Sequence, residues 1–314
     1  MAQGIVLIGG PTASGKSRLA LELAQAVGGM VINADSMQVY RELKVLTARP
    51  TLEAEARAPH RLYGILPATE PCSAARWRTL ALEAIRDAQA AGLVPILVGG
   101  TGLYFQALLK GLAPVPPLPA AVRREAERLF ERLGASAFHA ELARRDPEMA
   151  ARLHPRDRQR LLRAYEVHAA TGRSLADWQR EAARGDTRAG ASAAFCLMPP
   201  RSALYAACDA RLLDMIERGA LEEARTLAAL KLDPRLPAAK TVGLRELIDH
   251  LEGRMSLAGA SAKAQQATRR YAKRQLTWFR HRWREARLFT DFHGPEMTRE
   301  ALRELARIGL TGSG

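Results

Sequence analysis

Cysteine and long apolar segments are scarce in this sequence. The three cysteines, Cys72, Cys196 and Cys208, lie far apart and form no C-x-x-C pair, which argues against a disulfide scaffold and a cysteine-based zinc site. The seven histidines show neither H-x₃-H nor HExxH spacing, so a histidine-based metal site is not expected either. The sequence opens almost directly into a predicted strand, and no apolar run reaches membrane-spanning length. We therefore expect a cytoplasmic protein with no membrane partner.

Acidic residues are outnumbered by basic ones. The chain has 47 Lys and Arg against 33 Asp and Glu, a formal net charge of +14. This balance favours a polyanionic partner such as RNA, DNA or an acidic membrane surface. Composition alone is weak support, because many basic enzymes bind no nucleic acid. The positions of the basic residues along the chain are better evidence for or against such a partner. The 47% of hydrophobic residues indicates a folded chain of one large or two smaller domains.

A glycine-rich loop is the strongest motif. It follows the apolar run at residues 5–8 and precedes a segment with helical composition, and this strand–loop–helix context predicts a phosphate-binding P-loop. Backbone N–H groups and the helix N-terminus can hold an anion. Lys16 adds a cation, and the Ser17 hydroxyl is a candidate Mg²⁺ ligand. The predicted phosphate-binding residues are Gly10, Pro11, Thr12, Ala13, Ser14, Gly15, Lys16 and Ser17.

Two further predicted strands end in polar residues. Residues 30–32 lead into Asp35 and Ser36, and residues 94–98 lead into glycines and Thr101. The carboxyl ends of parallel strands share one edge of the sheet, so we expect these side chains in the same crevice as the P-loop. Asp35 can bind Mg²⁺, accept a proton or cap a helix. The strand before Thr101 lacks the acidic end that is typical of P-loop ATPases and GTPases, which argues against nucleotide hydrolysis.

A proline-rich segment at residues 113–119 predicts a domain boundary. The residues after it predict helices over 120–133, 137–144, 158–170 and 175–183, with many arginines. Residues 193–198 then predict a strand that returns to the sheet. We therefore expect an α/β fold, a P-loop NTPase-like parallel sheet flanked by helices, formed by residues 1–118 and 190–314. An all-helical insertion at residues 119–189 is either a solvated face or a nucleic-acid-binding subdomain.

Basic residues are concentrated in a predicted helix over residues 261–287. Its helical periodicity places Ala272, Leu276, Phe279 and Trp283 on one face, which we expect to pack on the core. Other faces carry basic residues, with Tyr271 and Trp278 beside the apolar stripe. One-sided basicity with adjacent aromatic residues favours a nucleic-acid surface over a merely solvated helix. The basic residues proposed for that surface include Lys273, Arg274, Arg280, Arg284 and Arg287.

These features leave three classes of function open. The first is an enzyme that transfers a group from a phosphorylated donor to nucleic acid. The second is an NTP-driven motor or a nucleotide kinase, which should carry the acidic strand end that is missing here. The third is an RNA-binding protein with a structural nucleotide, which does not explain why the P-loop, Asp35 and Thr101 converge.

Four motifs in order resemble the bacterial tRNA dimethylallyltransferases, the isopentenyl-tRNA transferase family. They are GPTASGKS at residues 10–17, DSMQVYR at 35–41, GGTGLY at 99–104 and TRRYAKRQLTWFR at 268–280. The resemblance runs from about residue 4 to about residue 290. It implies transfer of a dimethylallyl group from dimethylallyl diphosphate to N6 of adenosine 37, beside the tRNA anticodon, by a monomer. The alternative within this chemistry is an adenylate isopentenyltransferase acting on free nucleotide.

The resemblance also implies roles for individual residues. Asp35 matches the general base and Thr101 a contact near the reacting centre. Lys16, with Mg²⁺ held through Ser17, and Arg211 would hold the diphosphate. Ser36, Met37 and Gln38 would line the site of the flipped adenine. The residues matched to tRNA contacts in the helical insertion are Arg123, Gln159, Arg160, Leu161, Leu162 and Arg163.

The sequence departs from the family's motifs at four positions. Leu46 replaces a glycine, Arg49 replaces a lysine, Gly64 replaces an acid and Leu244 replaces an aromatic residue. We expect these changes to affect local loop geometry and rate and to leave the reaction class unchanged.

Overall fold

A six-stranded parallel sheet organises the larger part of the chain. The computed structural model describes residues 4–184 and 192–311. Within that part, the strand order across the sheet is β3-β2-β4-β1-β5-β6, and every neighbouring pair is parallel. The loops that follow β1, β2 and β4 therefore meet at one edge. The strands are β1 Val6–Gly9, β2 Gly29–Asn33, β3 His60–Arg61, β4 Val94–Gly99, β5 Ala193–Leu197 and β6 Arg287–Phe289.

Apart from Asn33 at the end of β2, the central strands carry no polar side chains, because helices cover both faces of the sheet. Alternate residues of β1 belong to different cores: Leu7 packs in one buried cluster, and Val6 and Ile8 pack in the other. Since β1, β2 and β4 are buried along their whole length, hydrophobic burial fixes their register and so the position of the loops at their carboxyl ends.

Most of the described residues outside the sheet are helical. Helix α1 begins immediately after the P-loop, and α12 is the long basic helix. The helices are α1 Lys16–Val27, α2 Leu52–Arg57, α3 Ala74–Ala90, α4 Gly102–Lys110, α5 Ala120–Arg145, α6 Pro147–Arg152, α7 Arg158–Thr171, α8 Leu175–Arg184, α9 Arg201–Met215, α10 Leu221–Ala229, α11 Leu244–Leu251, α12 Leu257–Arg282 and α13 Pro295–Arg307. A π turn, Ile216–Ala220, joins α9 to α10, and a 3₁₀ turn, Ala238–Lys240, precedes α11.

Packing divides the chain into two compact units, residues 1–109 with 189–314, and residues 110–188. The domain boundaries predicted from the sequence, between 118 and 119 and between 189 and 190, remain proposals. Residues 185–189 of the predicted insertion lie outside the described residues. None of the helices in residues 4–184 and 192–311 combines the length and apolar character that a bilayer crossing requires.

The helical unit, residues 110–188, has its own core. Phe138, Leu142, Leu161 and Tyr165 are buried together. The predicted break between its first two helices is a kink at Gly134, where φ is 73°. Pro147 opens helix α6. Asp146 caps that helix by accepting a hydrogen bond from the Met149 amide at 3.1 Å, and proline is well suited to the first helical position.

Helix α12 packs along the sheet, as its periodicity predicted. Ala272, Leu276, Phe279 and Trp283 are all buried. The predicted end of this helix at residue 287 was wrong, because α12 ends at Arg282 and the chain then forms the edge strand β6. Arg284 is therefore outside the helix. Arg287 lies in β6 and pairs with Glu300 and Glu304.

The aromatic residues of α12 need a glycine opposite them on β1. A Cβ at Gly9 would overlap the Trp283 ring and lie 2.6 Å from the Phe279 ring. We expect Gly9→Ala to lower the free energy of unfolding by about 1–3 kcal/mol, the usual cost of overpacking a core. Urea unfolding measures the change. Gly294→Ala is the matched control, since its backbone is extended and no atom lies within 4 Å of the added methyl. Equal losses in both variants would contradict this account.

Candidate active site

The loop after β1 has the backbone of an anion site. Gly10 and Gly15 have positive φ values of 152° and 89°, and Ala13 takes the left-handed conformation at φ 62°. A non-glycine residue pays for that conformation, and such strain is concentrated in loops that bind ligands. Gly15 is the N-cap residue of α1, so the first N–H groups of the helix face the loop. The Ser14 hydroxyl is fully buried and has no hydrogen-bond partner among the described residues.

Two cations lie beside this loop. The Lys16 ammonium donates to the Pro11 carbonyl at 3.1 Å. Burial lowers the pKa of Lys16 from 10.5 to about 8, against the opposing effect of the Asp35 carboxylate. Arg211, from α9, donates to the Thr12 hydroxyl at 3.2 Å, and burial lowers its pKa as well. Both side chains are thus poorly hydrated cations that gain from a bound anion.

Asp35 follows β2 and is held in a tight turn. Its Oδ1 accepts the Met37 amide at 2.9 Å, and its own amide donates to Asn33 Oδ1 at 2.7 Å. No helix begins here, so the alternative that Asp35 caps a helix is wrong. In the described part of the chain, Oδ2 accepts no hydrogen bond and remains available for chemistry.

Thr101 joins the end of β4 to the end of β2. Its hydroxyl accepts the Ser36 amide at 2.9 Å and donates to the Ser36 hydroxyl at 3.3 Å. Tyr271, on α12, reaches the same place: burial and the nearby Asp35 charge raise the pKa of its hydroxyl, which also interacts with Thr101. Sequence reasoning placed Tyr271 only at the margin of the apolar stripe. Its position three residues after Thr268, on the helix face next to that stripe, was the available signal.

The glycines around Thr101 are required by packing against protein. A Cβ at Gly99 would overlap the Ala34 backbone, one at Gly100 the Gln275 amide and one at Gly102 the Trp278 ring. The close approach at these glycines is therefore made by the residue that follows β2 and by side chains of α12.

Gln275 is a site residue that the sequence analysis missed. It is 5% exposed and bridges two strand ends. Its Oε1 accepts the Thr12 amide at 2.8 Å, and its Nε2 donates to the Gly100 carbonyl at 3.0 Å. Helix α12 thereby fixes the P-loop relative to the loop that carries Thr101. Its place directly before Leu276, beside the apolar stripe of α12, was the signal in the sequence.

Gln38 borders the larger cavity and not the smaller one, and its side-chain amide is engaged within the protein. Its Nε2 donates to the carbonyls of Thr47 and Ala48 at 2.9 and 3.0 Å. Of this amide group, only the carbonyl oxygen is therefore left to contact an adenine. The same loop is held from α10, where the Glu223 carboxylate accepts the amides of Lys44, Val45 and Leu46 at 2.6–2.9 Å.

Two cavities meet at these residues. The larger, of about 390 Å³, contains the P-loop, with Ser14, Lys16 and Ser17 on its wall. The smaller, of about 190 Å³, is bounded by α9, α12 and residues 240–242. Residues common to both walls are Thr12, Ala13, Asp35, Thr47 and Arg211. Asp35 can therefore be reached from either side.

The basic residues of α12 differ in their surroundings. Arg269 is paired with Asp209 at 2.6 Å. Lys273, Arg274 and Arg280 are exposed, and none of them has a carboxylate of the described residues within 4 Å. Arg274 lies over the Tyr271 ring, 5.6 Å from its centroid, and borders the smaller cavity. This face keeps its charge available to a polyanion.

The residues matched to tRNA contacts in the helical unit fall into two groups. Arg123, Gln159 and Arg160 are exposed, and Arg163 is partly buried. Leu161 and Leu162 are 0% and 6% exposed and belong to the core of the unit. The predicted contact of these two leucines with tRNA is therefore not supported, because their side chains pack inward and position α7.

Family models and relatives match this architecture. The model described as IPP transferase matches residues 38–282, and the model described as isopentenyl transferase matches residues 3–67. The chain belongs to the IPP transferase family. Among IPP transferase relatives, the tRNA dimethylallyltransferase of Rhodospirillum centenum is 59% identical over 285 residues, 91% of each chain. That of Rhodospirillum rubrum is 50% identical over 301 residues, 96% of this chain and 92% of the relative.

Solved structures of this IPP transferase family agree with the fold. The tRNA isopentenylpyrophosphate transferase of Bacillus halodurans is 32% identical, with a TM-score of 0.70 over 98% of this chain and 96% of that one. A eukaryotic dimethylallyltransferase described as acting on tRNA is 26% identical, with a TM-score of 0.78 over 97% of this chain and 78% of that one. The predicted family and the predicted α/β class, a P-loop-like parallel sheet flanked by helices, are confirmed.

Proposed function

We propose that this chain transfers a dimethylallyl group from dimethylallyl diphosphate to N6 of adenosine 37 in tRNA, next to the anticodon, and releases diphosphate. The observation that carries the proposal is the meeting of the two cavities at Asp35. One cavity supplies a diphosphate site, the other admits a base, and a carboxylate stands between them.

The donor's diphosphate fits the larger cavity. The P-loop amides, the Ser14 hydroxyl and the Lys16 ammonium surround an anion there, and Arg211 completes the wall toward Asp35. These groups stabilise the negative charge that grows on the diphosphate as it leaves. Lys16 and Arg211 gain most from that charge, because burial has already removed part of their hydration.

The residues present suit Mg²⁺ bound mainly through substrate oxygens. No group of three His, Cys, Asp or Glu side chains within the described ranges can hold a metal ion by itself. The Ser17 hydroxyl lies on the larger cavity with Asp35, and Mg²⁺ commonly binds few protein ligands together with phosphates and water. Bound there through Ser17, Mg²⁺ would neutralise diphosphate charge.

The acceptor adenine fits the smaller cavity. A base must leave its stack to reach this depth, and Met37, Thr241, Thr268 and Tyr271 offer it a partly polar wall. As N6 forms a bond with C1 of the prenyl group, the bond from C1 to the diphosphate oxygen breaks and the diphosphate keeps the electron pair. Asp35 Oδ2 accepts the proton that N6 loses. Thr101 holds Ser36, next to Asp35, in place throughout.

Polar residues of α12 and of the helical unit are proposed to contact the tRNA backbone. On α12 these are the exposed cations Arg274 and Arg280. In the helical unit they are the exposed Arg123, Gln159 and Arg160 and the partly buried Arg163. The predicted cytoplasmic location and monomeric state remain predictions.

The test of this function is direct. The purified chain is incubated with unmodified tRNA, Mg²⁺ and either dimethylallyl diphosphate or ATP, and the nucleosides are analysed by mass. A prenylated adenosine formed only with the first donor supports the proposal. Prenylation of free AMP and not of tRNA would favour an adenylate isopentenyltransferase, and phosphorylated product from ATP would favour a kinase or NTPase.

The affinity for tRNA should depend on salt through individual cations. We expect Arg274→Ala and Arg280→Ala each to reduce the slope of log K against log salt by about 1, the change expected for one lost phosphate contact. Filter binding at several salt concentrations measures the slope. Arg287→Ala is the control, since that guanidinium is already paired with Glu300 and Glu304. Slopes unchanged from the parent in all three variants would remove α12 from the RNA interface.

A further inference from the structure

The smaller cavity has an apolar wall that the transfer step does not use. Cys208, Leu212 and Met215 line it, and all three belong to α9. They are 1%, 4% and 9% exposed. Residues spaced by three or four positions share one face of a helix, so this wall is continuous along α9.

Arg211 lies on the same helix, one residue before Leu212. It borders both cavities and hydrogen-bonds the P-loop. A diphosphate held by Arg211 and the P-loop directs the carbon end of the donor toward the junction at Asp35. The apolar surface nearest in sequence to Arg211 is the α9 wall. The remaining wall of the cavity includes the polar side chains of Thr241, Thr268, Tyr271 and Arg274 and suits a base.

We propose that Met215, together with Leu212, determines the length of the prenyl chain by closing the α9 wall after one five-carbon unit. This inference rests on the proposed function and names the specificity of the same site. Met215 belongs to the main buried cluster, together with Leu244 and Leu247. Space opened by truncating Met215 is therefore enclosed and apolar, and such space accepts hydrocarbon rather than water.

The test is a competition between donors. Parent chain and Met215→Ala are given unmodified tRNA with dimethylallyl diphosphate, geranyl diphosphate or both, and adenosines carrying five or ten carbons are counted by mass. We expect the parent to transfer only the five-carbon group. In the variant, the ratio of kcat/KM for geranyl to that for dimethylallyl donor should rise at least tenfold, since hydrophobic pockets discriminate one methylene by about 10–200-fold.

Leu227→Ala is the matched control. Leu227 is buried in the same cluster but does not border the cavity, so its truncation should add no ten-carbon product. If Met215→Ala transfers dimethylallyl but gains nothing with the geranyl donor, the inference is overturned and the proposed function stands. If the parent prenylates tRNA with neither donor, the proposed function itself fails. Efficient geranyl transfer by the parent would also overturn the inference.

A second variant narrows the prenyl site instead of widening it. It keeps the proposal testable if Met215→Ala does not fold. Leu212→Phe places a larger side chain on the α9 wall, and we expect it to raise the KM for dimethylallyl diphosphate at least tenfold. The inhibition constant of inorganic diphosphate, which has no prenyl group, should stay unchanged. Equal weakening of both compounds would place Leu212 at the phosphate site and contradict an apolar prenyl wall.

Discussion

Asp35→Asn is expected to lower kcat by about two to four orders of magnitude, the range for loss of a general base, and to leave tRNA affinity unchanged. Asparagine keeps the Oδ1 that accepts the Met37 amide, so the turn after β2 retains its shape. It loses the oxygen that takes the proton from N6. Single-turnover prenylation with saturating tRNA measures the chemical step, and filter binding measures affinity.

The control for this experiment is a carboxylate away from the cavities. Asp249 pairs with Arg254 at 2.5 Å and borders neither cavity, so Asp249→Asn should transfer the prenyl group at the parent rate. Near-normal turnover by Asp35→Asn would remove the carboxylate from proton transfer. Loss of tRNA binding in that variant would instead assign Asp35 to recognition of the base.

Lys16→Met is expected to have the second large effect, on the use of the prenyl donor. We expect kcat/KM for dimethylallyl diphosphate to fall by about 10²–10³, the loss found when one donor to a developing oxyanion is removed. Methionine keeps most of the length of the side chain but donates no hydrogen bond. The affinity for tRNA should be unchanged. Lys273→Met reverses the pattern: that side chain is exposed on α12, so its loss should weaken RNA binding and spare the KM for the donor.

The pKa of Lys16 makes the donor's KM depend on pH. Burial lowers this pKa to about 8 in the free enzyme, so the cation is present below pH 8 and is lost as the pH rises through that value. The KM for the donor should therefore increase above pH 8 in the parent. Lys16→Met should show no such increase. A KM that stays constant from pH 7 to about 10 would mean that Lys16 remains protonated or does not contact the diphosphate.

Local sequence patterns predicted the parts of the site that depend on local chemistry. The P-loop, the turn at Asp35 and the strand ending before Thr101 each combine a buried strand with residues suited to a turn, so their placement at one edge of the sheet followed from parallel topology. The apolar face of α12 also followed from periodicity, because four buried residues recur at helical spacing.

Features that depend on tertiary partners were not predicted. The bridge made by Gln275 needs a backbone amide and a carbonyl from the loops after two different strands, β1 and β4. The pairing of Gln38 with its own loop depends on how residues 43–49 fold back. Arg284 and Arg287 continue the helical pattern of charge, yet the chain leaves the helix at Arg282 because residues 287–289 pair with β5. Leu161 and Leu162 belong to the same motif as the exposed Gln159 and Arg160. They differ from those residues only in packing inside the core of the helical unit, which the motif does not reveal.

Different sides of helix α12 make four different kinds of contact. Tyr271 reaches the reaction centre, Gln275 holds the P-loop, Phe279 and Trp283 cover β1, and the exposed cations remain in solvent. Each residue of a helix is turned by about 100° from the one before it. Insertion or deletion of a single residue near position 270 would rotate all later residues around the helix axis and misplace their contacts together. Substitution of one exposed cation removes only one charge. This stretch is therefore far less tolerant of changes in length than of changes in surface composition.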